Sequence, residues 1–300
     1  MRPGPRGFSP RHRRLCRNEV FVHWGRAEVK SGGESLAHRA GSGVQLWHRR
    51  EVRWGGPWRI AAGAAAVWAS LAAAATPNTD MQAVGRFEID RTEVTIGAFR
   101  AFVQATGMRT KAEREGGSLI YEAGWEKRAG WAWHAPYGTP GADNEPAVHI
   151  THGEAQAYCR WAGKRLPTEL EWREAAYTER RLQPPAPFVQ GKTYAYPTGD
   201  TPKGANCLGD CGNTAAAVSH AVTSRGRGHA PVGTTVAGVN GLYDMGANAW
   251  EWVDGGAGPE QPTMGGSWWY GAGPMHREHR ATKAADLSVV YIGFRCARSR

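Results

Sequence analysis

Residues 146–172 read PAVHITHGEAQAYCRWAGKRLPTELEW, and this stretch carries the strongest local structural signals of the chain. Its short apolar run at 147–150 predicts a strand. Thr151 and Glu154 have the spacing of a capping box, in which each side chain satisfies a free backbone N–H at a helix start. A helix is therefore predicted from Thr151 to about Gly163, because glycine favours helix termination.

Other local signals lie on both sides of this stretch. Thr168 and Glu171 form a second capping box, which predicts a helix that runs through Ala176. Residues 87–90 alternate apolar and polar side chains as a half-buried strand does. Residues 95–107 begin with a capping threonine, place apolar residues on one helical face and end with glycine, so we predict a helix there.

The remaining body is predicted to be rich in loops. Residues 108–146 show no clear period, and we expect an ordered loop region held by Trp125, Trp131 and Trp133. The chain contains 40 Gly, 18 Pro and 14 Trp among 300 residues. This composition indicates many turns fixed by large aromatic side chains rather than long regular elements.

The charge distribution excludes a basic nucleic-acid-binding surface. The formal net charge is +10, but residues 1–59 hold 13 Lys or Arg and 4 Asp or Glu. The rest of the chain has 24 basic and 23 acidic residues, so it is close to neutral. We therefore expect no nucleic-acid partner and a protein or small-molecule substrate whose identity the sequence leaves unknown.

The N-terminal quarter predicts export. An uncharged, alanine-rich run follows Arg53 and Arg59 and ends in small residues near Ala75. This order is typical of a signal peptide, with the alternative that the run is a single membrane anchor. We predict a disordered arm or misassigned start at 1–52, a signal peptide at 53–75 and one exported domain at 76–300, without a stable membrane span and monomeric.

The cysteines fit an exported domain. Besides Cys16 in the arm, the body contains four: Cys159, Cys207, Cys211 and Cys296. An even number predicts two disulfides, one closing the small loop between Cys207 and Cys211 and the other joining Cys159 to Cys296. The alternative for the C-x3-C pair is a metal site, although no second Cys/His pair at zinc-like spacing accompanies it.

Seven segments together resemble a known family. EVTIGAFRAFVQATG, TKAEREGGS, the stretch at 146–172, APVG, NGLYDMGANAWEW, GGSWW and GFRCA occur in the order found in formylglycine-generating enzymes, also called sulfatase-modifying factors. The resemblance covers about residues 85–298. It implies a mixed α+β, C-type-lectin-like fold with little regular secondary structure, and it implies the Cys159–Cys296 bridge.

The resemblance also implies structural calcium. The matching ligands would be the carboxylates of Asp244 and Glu251 and the carbonyls of Ala247 and Ala249, and calcium prefers such oxygen ligands. The alternative is that both acids are loop residues that cap or face water. A second calcium site would use Asn206 and the carbonyl of Cys207, but the residues that follow Asn213 contain no acid.

The family's catalytic thiols are missing. Family enzymes oxidise a substrate cysteine with copper(I) held by two cysteines that follow GGS, and soft thiolates suit that ion. Here the first position falls on Tyr270 and the second on Met275 or His276. Ser267 and Trp250, which lie by the family's oxygen and substrate pocket, are retained. Ordinary formylglycine generation is therefore not expected.

Two uses of the retained frame are open. One is a different oxidative or maturation chemistry in the periplasm, where Met275, His276 and His279 offer softer copper ligands and Tyr270 a redox-active phenol; whether copper or iron is used is unknown. The alternative for these side chains is that they sit in water on an exposed loop.

The other use is binding without turnover on a lectin-like scaffold. Trp268, Trp269 and Tyr270 would form an aromatic platform with Arg277 and Arg280 at its rim. If this segment is a strand, its period of two exposes only alternate side chains. We favour the modifying factor, with Ser267, Trp250, Tyr270 and His276 as candidate catalytic residues.

Overall fold

The computed structural model describes residues 80–212 and 217–300. The predicted arm, the signal peptide and Cys16 lie outside the described residues, so those predictions stay as they are. Within the described part, no helix has both the length and the apolar character needed to cross a membrane.

The described chain is an α+β fold with short elements. Its helices are α1 (Ile96–Thr106), α2 (Lys111–Arg114), α3 (His152–Trp161) and α4 (Glu169–Tyr177), with short 3-10 turns at Val239–Gly241 and Gly273–Met275. Its strands are β1 (Met81–Val84), β2 (Phe87–Asp90), β3 (Gly117–Tyr121), β4 (Trp125–Ala129), β5 (Trp250–Trp252), β6 (Glu260–Met264), β7 (Ala281–Ala284), β8 (Ile292–Phe294) and β9 (Ala297–Ser299).

The strands form three small sheets. One has the order β1-β2-β9, one is the hairpin β3-β4, and the largest has the order β7-β6-β5-β8. In the largest sheet β5 and β8 run parallel and the other pairs run antiparallel. Strands from residues 250–294 therefore meet in one sheet, which positions the candidate site described below.

The predicted helix boundaries are confirmed. The Thr95 hydroxyl caps α1 by accepting the Ala98 N–H, and Gly107 ends the helix in the left-handed conformation with φ 67°. Thr151 and Thr168 both form the predicted capping boxes at α3 and α4. These signals are local, so they act without help from the rest of the fold.

Two local predictions are wrong. Residues 108–146 contain helix α2 and the β3-β4 hairpin, and Trp125 does not hold a loop because it is 43% exposed, whereas Trp131 and Trp133 are buried. Residues 147–150 do not form a strand. His149 has φ 61°, a left-handed backbone that interrupts extended structure, and its N–H donates to the Val289 carbonyl.

The core joins the helices to the C-terminal strands. Phe99 of α1 stacks on Tyr158 of α3, and Phe294 of β8 packs edge-on against both rings. Such aromatic pairs contribute packing beyond their buried area. These contacts pack helices α1 and α3 against strand β8 near the C-terminal end of the chain.

Both disulfides are present. Cys159 of α3 is bonded to Cys296, between β8 and β9, across 137 residues, and Cys207 is bonded to Cys211. Closing a loop of that length lowers the entropy of the unfolded chain and contributes about 4–5 kcal/mol in a simple loop model. The small second loop contributes less, and it instead fixes the chain beside Met275.

Candidate functional site

The segment 241–252 has an unusual backbone. Asp244, Ala247 and Asn248 all have positive φ, at 59°, 61° and 53°. Residues other than glycine adopt this conformation only when surrounding contacts compensate the strain. Here the Asn248 carboxamide accepts the Ala230 N–H at 2.8 Å and donates to the Glu93 carboxylate at 3.0 Å, which fixes the entry to β5.

A buried charge cluster lies under this segment. Arg295 is fully buried and donates to Glu251 from both Nε and Nη2, at 2.8 and 2.7 Å. Glu93 is buried beside Glu251 and Asp244, and burial together with these two carboxylates raises the pKa of Glu93 well above its usual range. One guanidinium thus faces three acids, and protonation of Glu93 reduces the excess negative charge.

These contacts bear on the predicted calcium ligands. Glu251 already receives hydrogen bonds from Arg295 and from Trp172 Nε1 at 2.6 Å. Asp244 receives hydrogen bonds from the Gly233 N–H at 2.7 Å and the Thr235 hydroxyl at 2.6 Å. As placed, the carboxylates of Glu251 and Asp244 already accept hydrogen bonds and do not fit as free calcium ligands. Calcium binding stays a prediction.

The wider search for metal ligands gives no preformed site. Across 80–212 and 217–300, no three or more His, Cys, Asp or Glu side chains are grouped to hold a metal ion. Asn206, the predicted second calcium ligand, donates from Nδ2 to the Gly228 carbonyl and accepts from Arg227. Its side chain is therefore used in holding neighbouring loops together, and the second site also stays a prediction.

The GGSWW segment forms a turn instead of a strand. The Tyr270 N–H donates to the Ser267 carbonyl at 3.0 Å, and Ser267 Oγ accepts the Trp269 N–H. Both Trp268 and Trp269 are buried, at 0% and 3% exposure. The predicted exposed platform is therefore wrong, because a turn does not alternate its side chains between two faces as a strand would.

Trp250 is the centre of an aromatic and basic cluster. The ring centroids of Tyr270 and His279 lie 5.9 Å from its ring, and Lys283 Nζ lies 4.4 Å from the ring centroid. Tyr291 packs edge-on against Tyr270 at 6.2 Å. We call these five residues the Trp250 cluster. They come from β5, the turn after β6, the loop before β7, β7 itself and the approach to β8.

The cluster changes the protonation of its members. Burial lowers the pKa of Lys283 to about 8, and only the charge of Glu260 opposes this effect. Burial, and then the charges of Lys283 and Arg280, lower the pKa of His279. Near neutral pH the cluster therefore contains a neutral imidazole and an amine that can take up or release a proton.

The phenols of the cluster are coupled. Burial raises the pKa of Tyr270, and a side-chain hydrogen bond with Tyr291 partly offsets that rise. Burial also raises the pKa of Tyr291. Both phenols therefore stay protonated at neutral pH. The Tyr291 hydroxyl donates to the Tyr270 oxygen, so the Tyr270 O–H is the one available to donate toward a bound molecule.

The predicted soft-ligand set does not form one group. Met275 is fully buried, with Sδ 3.6 Å from Cys211 Sγ, so the expectation of an exposed loop is wrong for this residue. His276 packs edge-on against Tyr196, with ring centroids 5.3 Å apart. His279 packs on Trp250 instead. The candidate catalytic residues Trp250 and Tyr270 are thus together, and His276 has different neighbours.

A second polar cluster was not anticipated from the sequence. Glu145 accepts hydrogen bonds from His229 Nε2 at 2.8 Å, His220 Nε2 at 3.0 Å and the Ala142 N–H at 2.6 Å. The Tyr137 hydroxyl lies 3.0 Å from His229 Nδ1. Burial lowers the pKa of His229, so its neutral ring can donate to Glu145 and accept from Tyr137.

Sequence reasoning also missed Lys283 and Tyr291 at the Trp250 cluster. Neither residue lies in a motif that marks a site, since ATKAAD and SVVYIGF read as ordinary strand segments. Their place follows from sheet pairing alone, because β6 pairs with both β5 and β7, and β5 pairs with β8.

Fold and site together define a loop-rich, lectin-like α+β protein whose four described cysteines are all in disulfides. Residues 44–300 match the sulfatase-modifying factor enzyme 1-like domain. The chain therefore belongs to the sulfatase-modifying factor family. The family and fold predicted from the sequence are confirmed.

Several relatives are similar over most of their length. The formylglycine-generating enzyme of Streptomyces coelicolor is 33% identical over 256 residues, which cover 70% of this chain and 77% of the relative. The inactive C-alpha-formylglycine-generating enzyme 2 of Mus musculus is 29% identical over 247 residues, covering 71% and 75%. The structure of PvdO from Pseudomonas aeruginosa matches with a TM-score of 0.48 and 24% identity, over 71% of this chain and 80% of PvdO.

Proposed function

We propose that this protein is an exported modifying factor that acts on a protein or small molecule without a copper site made of cysteines. The observation that supports this most directly is the state of the thiols. All four cysteines among the described residues are in disulfides. Tyr270 stands at the first position that matches a copper ligand of the family, and Met275 or His276 stands at the second. A thiolate pair for copper(I) is thus missing from this part of the chain.

The Trp250 cluster is the proposed substrate site. Its aromatic rings offer flat apolar contacts, and the Tyr270 phenol offers a hydrogen-bond donor. Lys283 can hold or release a proton at Nζ near neutral pH, since the pKa is about 8. General acid–base catalysis works best with a group of this pKa. The cluster therefore supports substrate binding together with proton transfer.

Export is part of the proposal. The predicted signal peptide is one support, and the two disulfides are the other, because disulfides persist in oxidising compartments. The expected cleavage near Ala75 is testable by N-terminal sequencing of the protein recovered from culture medium or periplasm.

Binding without turnover is the second candidate function. The observation that favours it is that the cluster combines aromatic rings with a basic residue but lacks the thiols of the enzymes. A relative whose name describes it as inactive is 29% identical to this chain. A domain that keeps the family fold and binds a ligand without converting it is consistent with both facts.

One experiment tests the first proposal. The purified mature protein is incubated with copper(I), oxygen and a cysteine peptide that the Streptomyces coelicolor relative converts, and the peptide is analysed by mass spectrometry. We expect no formylglycine, with the relative as positive control. Conversion comparable to that by the relative would refute the proposal.

A second measurement separates the two candidate functions. Metal content and oxygen consumption are measured with the protein purified from its own producing cells. Stoichiometric copper or iron together with oxygen consumption supports an enzyme. The absence of both the metal and oxygen consumption supports the binding module.

A further inference from the structure

Lys283 is a basic group that has no acidic partner in the part of the chain that the structure describes. Its Nζ lies 4.4 Å from the Trp250 ring centroid, yet among the described residues it makes no hydrogen bond and no ion pair. The nearest acid that affects it is Glu260 on the paired strand, whose carboxylate accepts the Thr282 hydroxyl. A partly buried ammonium that lacks a counter-charge is unfavourable, so the site favours a ligand that supplies one.

Lys192 provides an internal comparison. Its Nζ also lies over an aromatic ring, 4.5 Å from the Tyr194 centroid. Unlike Lys283, it forms an ion pair with Asp200 at 2.7 Å. The same lysine–aromatic contact thus occurs twice, once with its anion inside the protein and once without it.

Other groups nearby also lack acceptors. The Trp250 indole Nε1 is buried and has no acceptor within residues 80–212 and 217–300. Arg225 lies 4.1 Å over the Trp269 ring and forms no ion pair within the described residues. Of the remaining titratable groups around the ring, His279 has a lowered pKa and Tyr270 a raised one, so neither supplies a negative charge. The missing component is an anion.

We propose that the Trp250 cluster binds an aromatic carboxylate, with the carboxylate at Lys283 Nζ and the ring against Trp250 and Tyr270. This deepens the proposed function, because it takes the cluster as the substrate site and assigns the chemical class of the substrate. Aromatic walls and one placed charge are a common way for a pocket to fix the orientation of a small ligand.

The ligand pair that tests the proposal is 4-hydroxybenzoate and its neutral isostere 4-hydroxybenzamide. Isothermal titration calorimetry of the mature protein at pH 7 should show about tenfold tighter binding of the carboxylate. Lys283→Met should abolish that preference, whereas Lys283→Arg should retain most of it. The matched control Lys192→Met should leave both affinities unchanged. Circular dichroism and thermal unfolding establish that each variant is folded.

Proton uptake on ligand binding is a second measurement, and it would not occur if Lys283 had only a structural role. At pH 8.5 about three-quarters of an amine with a pKa near 8 is neutral. Carboxylate binding favours the charged amine, so the protein should take up about half a proton or more. Titrations in two buffers of different ionisation enthalpy measure this uptake, which should vanish in Lys283→Met.

The proposal is overturned if carboxylate and amide bind equally, if neither binds at millimolar concentration, or if folded Lys283→Met keeps the preference. These outcomes are independent of the copper and peptide assay. A protein that binds the carboxylate but converts the cysteine peptide would refute the proposed function and leave the assigned ligand class standing.

Discussion

Glu145→Gln should destabilise the domain in a pH-dependent way. The Glu145 side chain is 3% exposed and accepts hydrogen bonds from His229, His220 and the Ala142 N–H. Burial by itself would raise the pKa of Glu145, but these hydrogen bonds outweigh it and lower the pKa to about 2 from 4.5. The charged carboxylate is therefore the form that the folded state stabilises.

The shift sets the size of the effect. A difference of about 2.5 pKa units corresponds to about 3 kcal/mol of folding free energy. Because the folded pKa is lowered, this contribution is fully present above pH 4.5 and is lost as the pH falls toward 2. For a domain of this size the melting temperature should fall by about 6–12 °C at pH 7 in the variant.

Thermal unfolding at pH 7, 4 and 3, followed by circular dichroism, checks the prediction. The difference between wild type and Glu145→Gln should be largest at pH 7 and shrink as the pH falls. Glu278→Gln is the matched control, since Glu278 is 70% exposed in its ion pair with Arg277 and should change stability little. A difference that is constant from pH 7 to pH 3 would refute the reasoning, because the effect would then not come from the charge.

Three further predictions concern stability. Arg295→Met leaves Glu251 buried without its guanidinium partner and should lower the free energy of unfolding by about 3–5 kcal/mol in urea titrations, whereas exposed Arg298→Met should change it by less than about 1 kcal/mol. Replacing both Cys159 and Cys296 by alanine should lower the free energy of unfolding by about 4–5 kcal/mol, and equal stability under oxidising conditions would contradict the loop-closure estimate. The predicted calcium site is tested by a chelator, which should lower the melting temperature, and added calcium should restore it. An unchanged melting temperature would contradict calcium binding by Asp244 and Glu251.

Helices α1, α3 and α4 were predictable because their signals are short-range. A capping box joins a side chain to a backbone group three residues away, so Thr151 and Thr168 mark helix starts whatever the rest of the chain does. The disulfides were predictable because four cysteines in the body allow few pairings. The family frame was equally visible in its motifs.

Helix α2 was missed although Thr110 and Glu113 form a capping box of the same kind, so its signal was present in the sequence. The other errors arose where long-range contacts decide local structure. The hairpin β3-β4 was missed because β4 is mostly exposed and its sequence has no alternation of apolar and polar residues. Its pairing with β3 is made by backbone hydrogen bonds, which leave no pattern in the side chains. Residues 147–150 resemble a strand in sequence. The hydrogen bond from His149 to Val289, in a segment far along the chain, accompanies the left-handed turn that prevents one.

For the site, the sequence by itself determined what is missing, since residues 268–280 after GGS contain no cysteine and thiol chemistry depends on residue type alone. It also marked Trp250 and Tyr270 as candidates. Only the tertiary structure decided that Met275 is buried against a disulfide. It also decided that Lys283 lies over Trp250 and forms no ion pair with any described residue. The physical reason is that the presence of a thiol depends only on the residue type at one position. Burial and charge pairing depend instead on which distant strands hydrogen-bond to one another.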